Sequence, residues 1–246
     1  MRIAFINDSS GNLPALSTIL SHMEEQEIDS KVHLGNIIGM CPFPDECLRL
    51  TIEKFNYFIK GKFENALLSG PLGLIKSEKD GYEKTVSLME KESLEYIENM
   101  QDMVTLPNQL LFAHAGPFSS IKSLRTEQDI NLIFGSIGGF DLAFVGQSYA
   151  TNEIWHKDNS GIRYQKVTSK EESTTIKLDS NHKYIVGVGS SGTPRNNDPR
   201  TGYVIYDTDT NSLTFIRLSY SIDRTIGKMQ RLGYSTDQCI RVLNGR

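Results

Sequence analysis

Between Arg2 and Gly61 the sequence alternates strand-like and helix-like segments, and this rhythm restricts the fold more than any other feature of the chain. Arg2 to Ile6 is a short apolar run with β-branched residues, as in a buried strand. A polar, turn-rich stretch follows, Asn7-Asp8-Ser9-Ser10-Gly11-Asn12. Leu13, Leu16, Ile19, Leu20 and Met23 then recur at helical spacing around Pro14. Lys31 to Leu34 repeats the strand pattern and stops at Gly35-Asn36. Pro44-Asp45 opens a second helix that carries Cys47, Leu48, Leu50 and Ile52, and Tyr57 to Ile59 is a third strand ending at Gly61. A βαβαβ order predicts a largely parallel sheet covered by helices.

The remainder changes character. Asp80 to Met103 reads as helix with one charged face, followed by a strand from Leu110 to His114. Beyond Ala143 short strands dominate: 143–145, 154–156, 163–167, 184–188, 202–207 and 212–218. The run Asp207-Thr208-Asp209-Thr210-Asn211 marks a hairpin between the last two. Two helices, about 221–232 and 235–243, close the sequence. With 246 residues, 38% hydrophobic content and no repeat or linker-like stretch, the expectation is one α/β domain over residues 1–246.

A net charge of -4 supplies no global pull toward nucleic acid or anionic lipid. No apolar run approaches the ~18 residues of a membrane helix. The N-terminal apolar run is too short for a signal peptide, so a cytoplasmic location is expected. Cys41, Cys47 and Cys239 form no C-x-x-C pair and are expected to be free thiols.

Six loop motifs occur in a fixed order. They are Asp8-Ser9-Ser10-Gly11-Asn12, Gly35-Asn36 with Gly39 and Pro42, Gly61-Lys62-Phe63-Glu64, His114-Ala115-Gly116, Gly146-Gln147-Ser148-Tyr149, and Gly189-Ser190-Ser191-Gly192-Thr193-Pro194-Arg195 leading to Asp198-Pro199-Arg200. Together they resemble the calcineurin-like metallophosphoesterases of the compact bacterial and archaeal type. The family versions read Asp-x-His-Gly-Asn, Gly-Asp, Gly-Asn-His-Asp/Glu, His-Gly and Gly-His-Thr-His. The resemblance spans nearly the whole chain. It implies a four-layer α/β sandwich, with two mixed β-sheets flanked by helices.

In that family two metals hydrolyse phosphoesters by generating a hydroxide and neutralising phosphoryl charge. The resemblance also implies where this chain departs. Asp8 matches the first-loop carboxylate, but Ser10 stands where a histidine ligand is expected. The bridging carboxylate position holds Asn36, the asparagine ligand position holds Lys62, and the leaving-group histidine position holds Phe63. His114 matches its counterpart, whereas Gln147 and Tyr149 replace the last histidine pair. Only Asp8 and His114 survive, and they serve different metals.

A dismantled metal site with no cofactor is therefore expected, in a protein with little or no phosphoesterase activity. The retained pocket would bind a phosphate-bearing small molecule, a nucleotide or a partner, lined by Asp8, Ser10, Asn36, Lys62, His114, Gln147, Tyr149 and Arg195. Lys62 is expected within salt-bridge reach of Asp8. The alternatives are an active phosphodiesterase or phosphatase, either metal-free or with one Mn, Fe, Ni or Zn ion on Asp8, Asn36 and His114, and a structural or regulatory homodimer or tetramer.

Overall fold

A computed structural model describes residues 1–72, 74–106, 110–114, 127–136, 139–146, 152–158, 160–168 and 170–246. The N-terminal alternation is present as β1 (Arg2–Ile6), α1 (Leu13–Glu24), β2 (Ser30–His33), α2 (Pro44–Lys54), β3 (Tyr57–Phe58) and α3 (Lys62–Ser69). Then follow α4 (Lys76–Leu88), α5 (Lys91–Glu98), β4 (Met103–Leu106), β5 (Leu110–Ala113), α6 (Glu127–Ser136) and β6 (Leu142–Val145). The chain continues with β7 (Glu153–Asp158), β8 (Gly161–Lys166), β9 (Ser173–Lys177), β10 (Lys183–Gly187), β11 (Thr201–Asp207) and β12 (Ser212–Leu218). Helices α7 (Ile222–Arg231) and α8 (Thr236–Asn244) complete it.

Two six-stranded sheets result, ordered β3-β2-β1-β11-β12-β9 and β4-β5-β6-β10-β7-β8. Strand β1 shows why they stack. Ile3 and Phe5 face the layer between the sheets, while Ala4 and Ile6 face the helical layer, so both faces are dry. The inter-sheet layer centres on Phe5, which stacks on Phe144 at 3.7 Å and meets Phe112 edge-on at 5.1 Å. Outside the first sheet, Leu16, Ile19 and Met23 of α1 pack with Leu48, Met229 and Val242 from α2, α7 and α8. Outside the second, Ile130, Ile133 and Phe134 of α6 cover Leu111, Ala143 and Trp155. The expected helix–sheet–sheet–helix sandwich is thus observed.

The first sheet is mixed, as the sandwich expectation has it: β1, β2 and β3 are parallel, but β11 and β12 pair antiparallel through their hairpin, and β11 lies antiparallel to β1. Other expectations change. The long helix expected over 80–103 is two helices and a strand. It breaks at Glu90, whose N–H donates to Asp45 Oδ2 instead of continuing the helical ladder. Helices α3 and α6 and strand β9 carry weak sequence signals. Ser173-Thr174-Thr175-Ile176-Lys177 has a single large apolar side chain, because β9 is an edge strand. The three cysteines are free and buried. Among the described residues, no helix is long and apolar enough to cross a membrane.

Candidate functional site

The parallel strands of each sheet run the same way, and the loops at their carboxyl ends meet at one end of the sandwich. In α/β folds such ends are where ligands bind. Asn7 ties the two sheets together there. Its Nδ2 donates to Gly146 O at 2.6 Å and Val188 O at 2.9 Å, both on the second sheet. Gly146 and Gly192 permit the approach. A Cβ on Gly146 would lie 2.4 Å from Asn7 Oδ1 and 2.8 Å from His114 Nδ1, and one on Gly192 would lie 1.9 Å from Ser9 O.

Backbone strain collects at the same end. Asp8, Ser10 and Asn36 all adopt a left-handed conformation at φ 51°. Asn and Asp tolerate this better than serine does, and such clusters favour functional loops. The 35–38 loop is held by Glu64, which is fully buried. Its carboxylate accepts from Asn36 N at 2.9 Å, Ile38 N at 3.1 Å and Gly61 N at 2.7 Å. Burial raises the Glu64 pKa, and these N–H donors work against that rise.

Asn36, where the resemblance implies a bridging carboxylate, has its amide oxygen committed. Oδ1 accepts from Phe63 N at 3.0 Å, and the side chain lies near enough to Asp8 to favour its carboxylate form. Burial pushes the Asp8 carboxyl up to about 6, against the nearby Asn36 side chain and the charge of Arg195. Asp8 Oδ1 is enclosed and has no partner.

Two histidines flank this centre with assignable tautomers. His114 Nδ1 lies 2.6 Å from Leu34 O, so Nδ1 carries the proton and Nε2 holds a lone pair. Nε2 is enclosed and unpartnered, and burial lowers the His114 pKa. His33 lies directly beneath it. Gly35 N donates to His33 Nδ1, so Nε2 carries the proton and donates to Ser9 Oγ at 2.8 Å. Ser9 Oγ passes the chain on to Ile37 O. Burial pulls the His33 pKa down to about 3, which keeps it a neutral brace.

Lys62 corrects the ion-pair expectation. Its Nζ is 2.6 Å from Glu78 Oε2, and no ion pair joins it to Asp8 among the described residues. Glu78 sits in the first turn of α4 and also accepts from Ile75 N, so it is already fixed where Lys62 reaches it. The Lys62 charge is felt by His114. Phe63 is core: it packs in the helical layer and against Gly39. Arg200 braces its loop through Asp198 at 2.8 Å. Gln147 and Tyr149 lie outside the described residues.

Arg195 does come to the site. Its charge acts on Asp8, and its Nε is enclosed without a partner. The loop carrying it is pinned to Asp8, since Gly192 N donates to Asp8 O at 2.7 Å. Glu78 and Arg241 also act on Asp8, and neither was singled out from sequence. Arg241 lies in the last turn of α8, and no local pattern there marks it. Among the described residues, no three His, Cys, Asp or Glu side chains group so as to hold a metal.

In fold, the chain is similar to metallophosphoesterases, in line with the resemblance to the calcineurin-like superfamily that its loops carry. It superimposes on the metallophosphoesterase from Sphaerobacter thermophilus with TM-score 0.85 and 26% identity, covering 100% of this chain and 99% of that one. Hypothetical protein PH1004 of Pyrococcus horikoshii OT3 matches in fold, with TM-score 0.78 and 16% identity over 100% of this chain and 98% of that one. In sequence, the chain is 24% identical over 239 residues to the uncharacterized protein MJ0912 of Methanocaldococcus jannaschii, which spans 92% of this chain and 91% of the relative. No family model matches the sequence.

Proposed function

We propose that this protein uses the metallophosphoesterase scaffold to bind a phosphate-bearing ligand without a two-metal centre, and that it has little or no phosphoesterase activity. The observation that carries this reading is the commitment of Asn36. At the position where two dications need a shared anionic bridge, this chain offers a neutral amide whose oxygen is held by Phe63 N at 3.0 Å. Lys62 adds an ammonium where a ligand would stand, held there by Glu78. A donor set of one carboxylate, one imidazole and one inward-turned amide does not fit a pair of dications. It fits an anion, with Lys62 and Arg195 as cations and Asp8, Ser10, Asn36 and His114 around it.

One observation favours a second reading, a single-metal phosphoesterase. His114 donates Nδ1–H to a backbone carbonyl and keeps a free Nε2 lone pair, as metal-bound histidines do.

Two assays separate them. With manganese supplied, turnover of bis-p-nitrophenyl phosphate and p-nitrophenyl phosphate should stay at background. Turnover that Asp8→Ala or His114→Ala abolishes overturns the first reading. A thermal-shift titration with inorganic phosphate should raise the melting temperature, since a ligand at 100 times its dissociation constant adds about 2.7 kcal/mol.

A further inference from the structure

We infer that His156 and His182 form a two-imidazole site for a zinc-like divalent ion, at the end of the sandwich away from the Asp8 loops. This goes beyond the phosphate-binding reading and does not depend on it.

The fold brings the two rings together. Strands β7 and β10 are antiparallel neighbours, with His156 opposite Tyr184. His182 precedes Tyr184 by two residues, which makes it the diagonal neighbour of His156 on the same face. That face looks into the layer between the sheets, to which Ile154 and Tyr184 belong. Strand β10 begins at Lys183, and its other end leads into the 189–195 loop, so the pair lies at the opposite end from Asp8. The turn that carries His182 is fixed by its own hydrogen bonds. His182 N donates to Asp179 O at 3.1 Å, Asn181 N donates to Asp179 Oδ1 at 2.9 Å, and Asp179 N donates to the Tyr184 hydroxyl at 2.9 Å.

The rings are spaced for an ion. Their centres are 5.2 Å apart and their planes differ by 13°. The Tyr184 ring lies beside both, at 5.6 Å from His156 and 6.2 Å from His182. Tetrahedral zinc with Zn–N bonds of about 2.0–2.1 Å needs two ligand nitrogens about 3.4 Å apart. Rings at the observed spacing reach that separation through χ2, a soft torsion in histidine. Both side chains are half-buried and open to solvent on one side.

The rings are also uncommitted. Among the described residues, neither ring makes a hydrogen bond or an ion pair, whereas His22, His33 and His114 are each held by one or more hydrogen bonds. Imidazole suits zinc, copper, nickel and iron, while magnesium, calcium and manganese favour oxygen ligands. Asp158, two residues beyond His156 on the same face, adds a negative charge there. Its Oδ1 is engaged with Ser160 N at 2.7 Å and Ser160 Oγ at 2.6 Å, so water completes the shell. Two imidazoles are half the ligand set of a structural zinc site, which predicts a dissociation constant on the order of 1–100 µM. Desalting removes an ion held that weakly.

The test is calorimetric titration of the full, untagged chain with zinc chloride at neutral pH, in a buffer that does not bind metal. One equivalent should bind, and magnesium chloride should give no binding. His156→Ala and His182→Ala should each weaken zinc at least about tenfold. Should either variant fail to fold, the imidazole 15N resonances of the unmodified chain decide: zinc should shift those of His156 and His182 and leave those of His22 and His33 in place. Zinc binding that survives both alanine variants overturns the site, and so does equal affinity for magnesium or no zinc binding at millimolar concentration. Zinc binding lost in His114→Ala but kept in His156→Ala overturns it as well, and assigns the ion to the loops around Asp8.

Discussion

Lys62 Nζ sits 2.6 Å from Glu78 Oε2, and that carboxylate oxygen also accepts from Ile75 N at 2.9 Å. Lys62 is therefore held by a carboxylate in the first turn of α4, outside its own loop. The pair is partly shielded, with side chains 27% and 17% exposed, so it should exceed a surface ion pair in strength. A double-mutant cycle of Lys62→Met and Glu78→Gln, read by urea unfolding, should give a coupling of about 1 kcal/mol. A coupling near zero contradicts the pairing.

Asp8 makes the stability depend on pH in a defined direction. Its carboxyl is raised by burial from 3.8 to about 6 in the folded state. The folded protein thus holds the proton more tightly than the unfolded chain. The stabilisation is fully present below pH 3.8 and is lost as pH rises through about 6. Above that, the buried carboxylate costs about 3 kcal/mol. Asp8→Asn, a residue that also tolerates positive φ, should stabilise the protein at pH 8 and lose most of that advantage at pH 4. Chemical denaturation at the two pH values checks it. An Asp8→Asn variant less stable than wild type at pH 8 runs against the account.

Glu64 should matter more for folding than its single charge suggests. Glu64→Ala strands three buried N–H groups, on Asn36, Ile38 and Gly61. Each costs about 1–3 kcal/mol, so a loss of about 3 kcal/mol or more is expected in urea unfolding. A loss below about 1 kcal/mol would mean that water or a rearranged loop replaces the carboxylate.

Two glycines should respond in opposite ways to alanine. Gly192→Ala puts a methyl 1.9 Å from Ser9 O, and the loop must move away from Asp8, at a cost of about 3 kcal/mol. Gly227 lies inside α7 with nothing within 4 Å of the added Cβ. Gly227→Ala should stabilise by about 0.5–1 kcal/mol through helix propensity. Melting temperatures of the two variants check both signs.

Much of the sandwich is legible in the sequence, because strands buried on both faces leave continuous apolar runs and α1 leaves a helical stripe. The weakly signalled elements are those whose partners lie far away in sequence: β9 is a polar edge, and the break at Glu90 depends on Asp45. At the site, Asp8, Asn36, Lys62 and His114 announce themselves through loop motifs, and Arg195 follows from the last motif. Their partners do not. Glu78 and Arg241 sit in ordinary helical turns, and His33 looks like any strand residue until Gly35 and Ser9 close around it. Long-range pairing is what turns Lys62 toward Glu78 rather than Asp8.

The most direct test of the central claim is the metal content of protein purified without chelator and desalted. The committed Asn36 amide, the paired Lys62 and the lone His114–Asp8 set predict Mn, Fe, Ni and Zn far below one equivalent per chain. Close to two equivalents of any of these metals, retained through desalting, would contradict the account, and one equivalent lost in His114→Ala would shift it to the single-metal reading.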